Sequence, residues 1–298
     1  MMIRATQSPG LSAATAPPER RATGAQRMID VAVTRIEAEG MSVGLDNIRM
    51  EKVIEEAGVS RATAYRRWST RDDFLADVLV ETVRRTSLIP ETPDDLTRIL
   101  QVIAEHQDTL GTEQGRRDVV VEGLRAAVDA DVRRVVGSPR WRTFLSLSAA
   151  HPGLPAGRVA EEVAAALQRA EGEFNARRTE VYGRLCTLLD YRLTPPLTGD
   201  DGFYRLGSAA GSMMTGIVVR ALPEPTLLDD RTTVALFGQS RAQGWSDPER
   251  QLVGVLLSHL EPDPNRPWTP ERAAQMLTMV EEQVAALMSS QLDGGTPA

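Results

Sequence analysis

The chain has 298 residues, 42% of them apolar and only 4% aromatic, with a net charge of −7. That length suits about two domains with cores built mainly from Ala, Val and Leu. It holds no apolar run near the roughly 20 residues of a membrane span, and its acidic total argues against a protein that coats nucleic acid without specificity.

Cys186 is the lone cysteine, which excludes an intrachain disulfide. The plain expectation is a reduced cytoplasmic protein with one core thiol, a redox-sensing thiol being the alternative. Charge is uneven along the chain. Residues 1–90 hold 13 Arg plus Lys against 12 Asp plus Glu, and residues 91–298 hold 21 against 29. Arg61, Arg66, Arg67 and Arg71 fall in a stretch that contains no acid.

Residues 1–22 are rich in Ala, Ser, Thr and Pro, without periodicity or the apolar segment of a secretory signal, and read as a disordered arm. Helix one is predicted over 24–39, with Ile29, Ala32, Val33 and Ile36 on one stripe and Gly40 as its stop. Helix two is predicted over 49–57, with Met50, Val53, Ile54 and Ala57 repeating that spacing until Gly58 breaks it. Ser60 then caps helix three, 61–68, and Ser69 caps helix four, about 70–86, whose inner face is Leu75, Val78, Leu79 and Thr82. The resulting unit is 23–87. Pro90 and Pro93 mark a junction, and 88–290 reads as a larger helical domain before a loose tail at 291–298. Its helices are expected over 94–110, 114–136, 138–149, 156–192, 200–221, 229–242, 247–260 and 269–290, the last opened by Thr269-Pro270. No alternation is long enough to suggest a sheet, so the expected fold is all-α.

Two short helices joined by a glycine turn, the second rich in Arg, Thr and Tyr, have the layout of a helix-turn-helix that sets one helix in the DNA major groove. On a helical wheel Ala64 and Trp68 point to the core. Ala62, Thr63 and Arg66 occupy the opposite face, with Tyr65 and Arg67 at its flanks. Arg61 lies in the first turn, where its planar fork suits guanine O6 and N7. Ala62 permits close approach to the groove floor. Thr63, Tyr65 and Arg67 suit phosphates, as does Arg71 in the first turn of helix four. With Arg49 and Ser60 these complete the expected DNA-contacting set. Arg20 and Arg21 are either solvated tail charges or an arm that touches DNA.

The string AGVSRATAYRRWSTRDDFL resembles the signature of the TetR family of bacterial regulators. Ala57, Gly58, Val59, Ser60, Thr63, Tyr65 and Leu75 match it. Trp68 replaces an aromatic Phe, Arg71 replaces a Lys, and Arg67 stands where Tyr or His is usual. The loop after Gly40 is about four residues longer than usual. The Ser or Thr that normally caps helix two is absent, leaving Asp46 or Asn47 as caps for a shifted start. The resemblance covers about 27–86. It implies a homodimer on a near-palindromic double-stranded DNA operator. It also implies a C-terminal helical domain that dimerises and holds a small-molecule effector, and repression relieved when that ligand changes the separation of the two recognition helices.

In the second domain, 204–221 and 271–289 are the dimerisation candidates, the latter with Ala274, Met276, Leu277, Val280, Val284 and Leu287 on one broad face; the alternative is that both are intrachain core. Trp141, Phe144, His151, Phe174, Tyr182 and Met213 are the ligand-pocket candidates, being large or polar-tipped side chains in the helices expected to form a pocket. His106, His151 and His259 share no metal-ligand spacing with Cys186, so neither metal nor cofactor is expected. A phosphate loop, a G-x-S-x-G elbow and H-E-x-x-H are all missing, which disfavours an enzyme. Gly207-x-x-x-Gly211 reads as helix packing. The competing function is a DNA-binding regulator controlled by a partner protein instead of a small effector.

Overall fold

The computed structural model describes residues 23–39, 48–85, 93–154 and 156–293. Among them the fold is all-α apart from two short ribbons. The head consists of α1 (Gly24–Glu39), α2 (Met50–Glu56), α3 (Arg61–Arg67) and α4 (Arg71–Arg84). Gly58 turns the chain between α2 and α3 at φ +60°, where a side chain would be strained. Ser60 caps α3 by accepting the Thr63 amide at 3.2 Å. The cap of α4 is Thr70, not the expected Ser69. The Thr70 hydroxyl accepts the Asp73 amide at 3.1 Å, and the Asp73 carboxylate accepts the Thr70 amide at 3.2 Å. This reciprocal box satisfies two otherwise open amides. Ser69 donates instead to Asp73 Oδ2 at 2.9 Å. Helix α2 starts at Met50, with Arg49 as an N-cap that makes no side-chain bond. The arm over 1–22, the Gly40 stop and the caps expected from Asp46 or Asn47 lie outside the described residues.

Met28, Ala32, Val33 and Ile36 of α1 close over Val53, Ile54, Ala64, Trp68, Phe74, Leu75 and Val78. The inner face of α4 is shared between two cores. Phe74, Leu75 and Val78 belong to the head, whereas Leu79 and Val83 belong to the core of the body. A helix of 14 residues is about 21 Å long, so its first half packs in the head and its second half on the body.

The body contains α5 (Pro93–Glu105), α6 (Glu113–Gly137), α7 (Pro139–Ala150), α8 (Arg158–Leu189), α9 (Gly199–Ala221), α10 (Asp247–Ser258) and α11 (Pro270–Asp293). Strand β1 (Tyr191–Leu193) pairs antiparallel with β4 (Leu260–Pro262), while β2 (Arg231–Val234) pairs with β3 (Gln243–Ser246) from Arg231↔Ser246 to Val234↔Gln243. The hairpin of β2 and β3 replaces the helix expected over 229–242. Thr232, Thr233 and Val234 are β-branched and favour an extended chain. Phe237 and Gly238 then adopt φ of +54° and +79°, which no α-helix accommodates.

Helices α8 and α9 pack closely at Gly207 and Gly211. A Cβ on Gly207 would stand 3.3 Å from Arg178 Cβ, and one on Gly211 would stand 2.7 Å from the Arg178 guanidinium. The inner face of α9, with Leu206, Ala210, Met214, Ile217 and Val218, is therefore spent within the chain, as are Met276 and Val280 of α11. Leu277 is partly buried in the same cluster as Met276 and Val280. The side chains of Val284 and Leu287 lie outside the described residues. Tyr204, Val219, Leu222 and Met279 remain exposed.

Candidate nucleic-acid interface and the body cavity

Helix α3 is held by its buried side. Ala64 and Trp68 are each 1% exposed, and Trp68 meets Phe74 edge to face with ring centroids 5.0 Å apart. Only seven residues long, α3 depends on this anchor and on the Ser60 cap for its orientation. The opposite side presents Arg61, Ala62, Tyr65 and Arg66 to solvent, with Thr63 half-buried. Arg49 is exposed at the start of α2, and Arg71 is half-buried at the start of α4. The structure thus brings the expected DNA-contacting residues onto α3 and the two adjoining helix starts.

Several of these side chains have partners within the protein. Thr63 Oγ1 and Ser60 Oγ share a hydrogen bond of 2.9 Å, and Tyr65 donates its hydroxyl to Glu51 Oε1 at 3.3 Å. Arg67 lies against the Trp68 ring, 5.4 Å from its centroid, and donates to Asp77 Oδ2 at 2.8 Å. Trp68 Nε1 donates to the same oxygen at 2.8 Å. Asp77 and its neighbour Asp73 are outside the set expected from the sequence. Their signal was an i, i+4 acidic pair beside an arginine-rich helix. Hydrogen bonds from Ser69 and Thr70 hold the Asp73 carboxyl below the usual carboxylate range, with the charge of Arg158 adding to them.

The six side chains expected to form a pocket do not line the main apolar cavity. Trp141, Phe144 and Phe174 do meet, with centroids 5.0 to 5.7 Å apart, but as packed core, each at most 5% exposed. Tyr182 and Met213 pack on the same core, and burial pushes the Tyr182 hydroxyl up to about 12. The His151 ring turns Nε2 to the Ala160 carbonyl at 3.2 Å.

A cavity of about 90 Å³ lies instead between α5, α6, the end of α8 and α11. Its wall includes Ile99, Ile103, Val120, Gly123, Leu124, Ala127, Cys186, Leu189, Tyr191 and Met276. Gly123 is the informative member. A Cβ there would meet nothing within 4 Å, so the space in front of it is left unfilled. A helix-interior glycine costs about 1 kcal/mol against alanine. An isolated glycine in a 25-residue helix was a readable signal, but spacing alone did not say what it faced. Tyr191 contributes a polar atom, and its hydroxyl accepts from Arg117 at 3.4 Å. No charged side chain is part of the wall.

Among the described residues no three His, Cys, Asp or Glu side chains gather as a metal would require, and no helix is long and apolar enough to cross a membrane. No curated protein and no solved structure matches the chain significantly. Residues 40–78, which contain α2, the turn, α3 and the start of α4, match the bacterial regulatory proteins of the tetR family. The capped and anchored recognition helix, its cationic outer side and this match, which covers the head alone, make the chain a DNA-binding helix-turn-helix transcriptional regulator whose head is similar to that of the tetR family.

Proposed function

We propose that the chain acts as a homodimeric repressor on a near-palindromic operator and is released by a small ligand held in the body. The observation that carries the operator reading is the outer side of α3. Arg61 stands exposed in its first turn beside the small, exposed Ala62, and no acid lies between Arg61 and Arg71. An arginine there reads guanine, while Arg66, Arg71 and the start of α2 supply phosphate contacts. Two such heads engage half-sites about one helical turn, roughly 34–36 Å, apart. A change in head separation spoils both contacts at once.

The ligand is a small, uncharged, apolar molecule, because a charged one would lose its hydration in a wall with no charge to pair it. The cavity is smaller than the roughly 300–1,000 Å³ of pockets that enclose drug-sized ligands. That size favours a second reading, in which a partner protein controls the regulator through the exposed Tyr204, Val219, Leu222 and Met279.

The deciding experiment is fluorescence anisotropy with DNA from the chain's own upstream intergenic region and a scrambled duplex, at near-physiological salt. We expect roughly a thousandfold preference for the native DNA. Arg61→Ala should cost on the order of 1–3 kcal/mol and relax specificity at one base pair per half-site. Equal, weak binding to both duplexes would remove the reading. Thermal shift with benzene or xenon tests the cavity, since a ligand of the folded state raises Tm. Gly123→Leu should abolish that shift.

A further inference from the structure

Asp73 and Asp77 lie one turn apart on one side of α4, and each carboxylate divides its two oxygens between the head and the body. On the head side, Asp77 Oδ2 accepts from Arg67 and Trp68, both at 2.8 Å, and Asp73 Oδ2 accepts from Ser69 at 2.9 Å and the Thr70 amide at 3.2 Å. Both Oδ1 atoms face Arg158, the first residue of α8. Its NH1 is 3.1 Å from Asp73 Oδ1 and its NH2 is 3.7 Å from Asp77 Oδ1. Glu162 Oε1 steadies the same guanidinium from within α8 at 2.6 Å. One body arginine therefore spans two carboxylates whose other oxygens fix the C-terminal end of the recognition helix, through Asp77, and the turn that follows it, through Asp73. A planar guanidinium fork suits this task, and a lysine ammonium does not reproduce it.

We infer that Arg158 is a positioning residue for DNA recognition: from the body, through Asp73 and Asp77, it governs where α3 ends and how firmly Arg67 is held. The charges explain how. Asp77 is shared by Arg67 and Arg158. Without Arg158 its charge is balanced by Arg67 alone, which is then drawn towards α4 and away from a phosphate. Because Arg158 opens α8, a shift of that helix against α4 alters the recognition helix without any change in the head itself. The inference rests on DNA binding through α3, and needs neither the dimer nor the ligand of the preceding proposal.

The test is operator binding by the full chain over a series of salt concentrations, with helix content checked by circular dichroism. Wild-type binding in the same titrations reports on the DNA-binding reading independently. Arg158→Ala should weaken binding about two- to fivefold, the range of an exposed ion pair, with the salt slope unchanged. Arg158→Lys should recover only part of the loss. In an Asp77→Asn background, which keeps the capping box of α4, Arg158→Ala should have a clearly smaller effect; with Asp73→Asn added, it should be silent. Two results would overturn the inference. One is Arg158→Ala binding like the parent. The other is a loss that persists when both carboxylates are neutral and lowers the salt slope by about one, which would make Arg158 a phosphate contact in its own right.

Discussion

In the head, Arg49, Arg61 and Arg66 stand in solvent. In the body, Arg116 is 2% exposed, lying between the rings of Tyr191 and Trp268, and Arg125 is bound to Glu122 and Glu249. The body also buries Asp190 at the end of α8, where it accepts Arg266 at 3.0 Å and Arg272 at 2.6 Å and so ties α11 down. Arg231 bonds Glu249 and Asp129, holding the β2–β3 hairpin against α6 and α10. A buried charge loses hydration and has to be matched by its neighbours, so these buried arginines serve the body. Arg49, Arg61 and Arg66 keep their hydration and remain available to an anionic partner. The same residue type thus has opposite uses, and burial separates them where composition does not.

Trp68 offers the strongest way to break this contrast. It is the largest fully buried side chain of the head, and it carries both the Phe74 contact and the bond to Asp77. Trp68→Ala should destabilise the head by about 3–5 kcal/mol, a loss that so small a core has little capacity to absorb. Operator binding should disappear. Amide exchange is the discriminating measurement, because Leu79 and Val83 keep the second half of α4 on the body. Protection should vanish in α2 and α3 while surviving in α6, α8 and α9. Loss of protection everywhere would mean that head and body unfold as one unit.

The two regions also differ in how far the sequence discloses them. The head is set by near neighbours. Gly58, the Ser60 cap three residues before its amide, and the Ala64–Trp68 pair can all be read within one turn of chain. The cap of α4 was misplaced by one residue because both Ser69 and Thr70 can accept an amide and each has an aspartate three residues on, Asp72 and Asp73. The body is set by distant partners. The bonds of Arg231 to Asp129 and Glu249 span 102 and 18 residues, and nothing local in 229–242 announces them. The β-branched Thr232 to Val234 was the available hint of a strand. Trp141, Phe144 and Phe174 were reasonable pocket candidates by size, but aromatic size does not distinguish a filled core from a cavity wall. The apolar cavity lies elsewhere, between α5, α6, α8 and α11, where Gly123 leaves the space in front of it open.

An intermediate effect is expected at the loop that covers α6. Asp118 is 5% exposed and accepts the Ser240 amide at 2.7 Å, the Ser240 hydroxyl at 2.5 Å and Gln114 Nε2 at 3.0 Å. Burial alone would raise its pKa, but the bonds from Ser240 and Gln114 outweigh it and bring the carboxyl below its usual range. A depressed carboxyl stabilises the fold above its unfolded pKa of about 3.9, and that contribution is lost as pH falls through the lower folded value. Asp118→Asn should therefore cost about 1–2 kcal/mol in urea unfolding at pH 7. The difference from the parent should narrow once the pH drops below about 3.8. A cost that did not change with pH would assign the effect to packing, and would weaken the view that charge organises the body.

The smallest effect is predicted at Cys186, where the contrast between the regions becomes a matter of access. Burial pushes this thiol up to about 12, so almost none of it is thiolate at neutral pH. It also forms part of the cavity wall. If that wall stays closed, alkylation by iodoacetamide at pH 7 should run on the order of a thousandfold slower than for a free cysteine, whose pKa is about 8.5. Cys186→Ala should leave operator affinity unchanged, and an oxidant should not release the DNA. Fast labelling of the folded protein would show the body opening to water on the timescale of the reaction. The cavity would then be an entrance instead of a sealed void, and an apolar ligand that slowed the labelling would be reporting its own occupancy of the site.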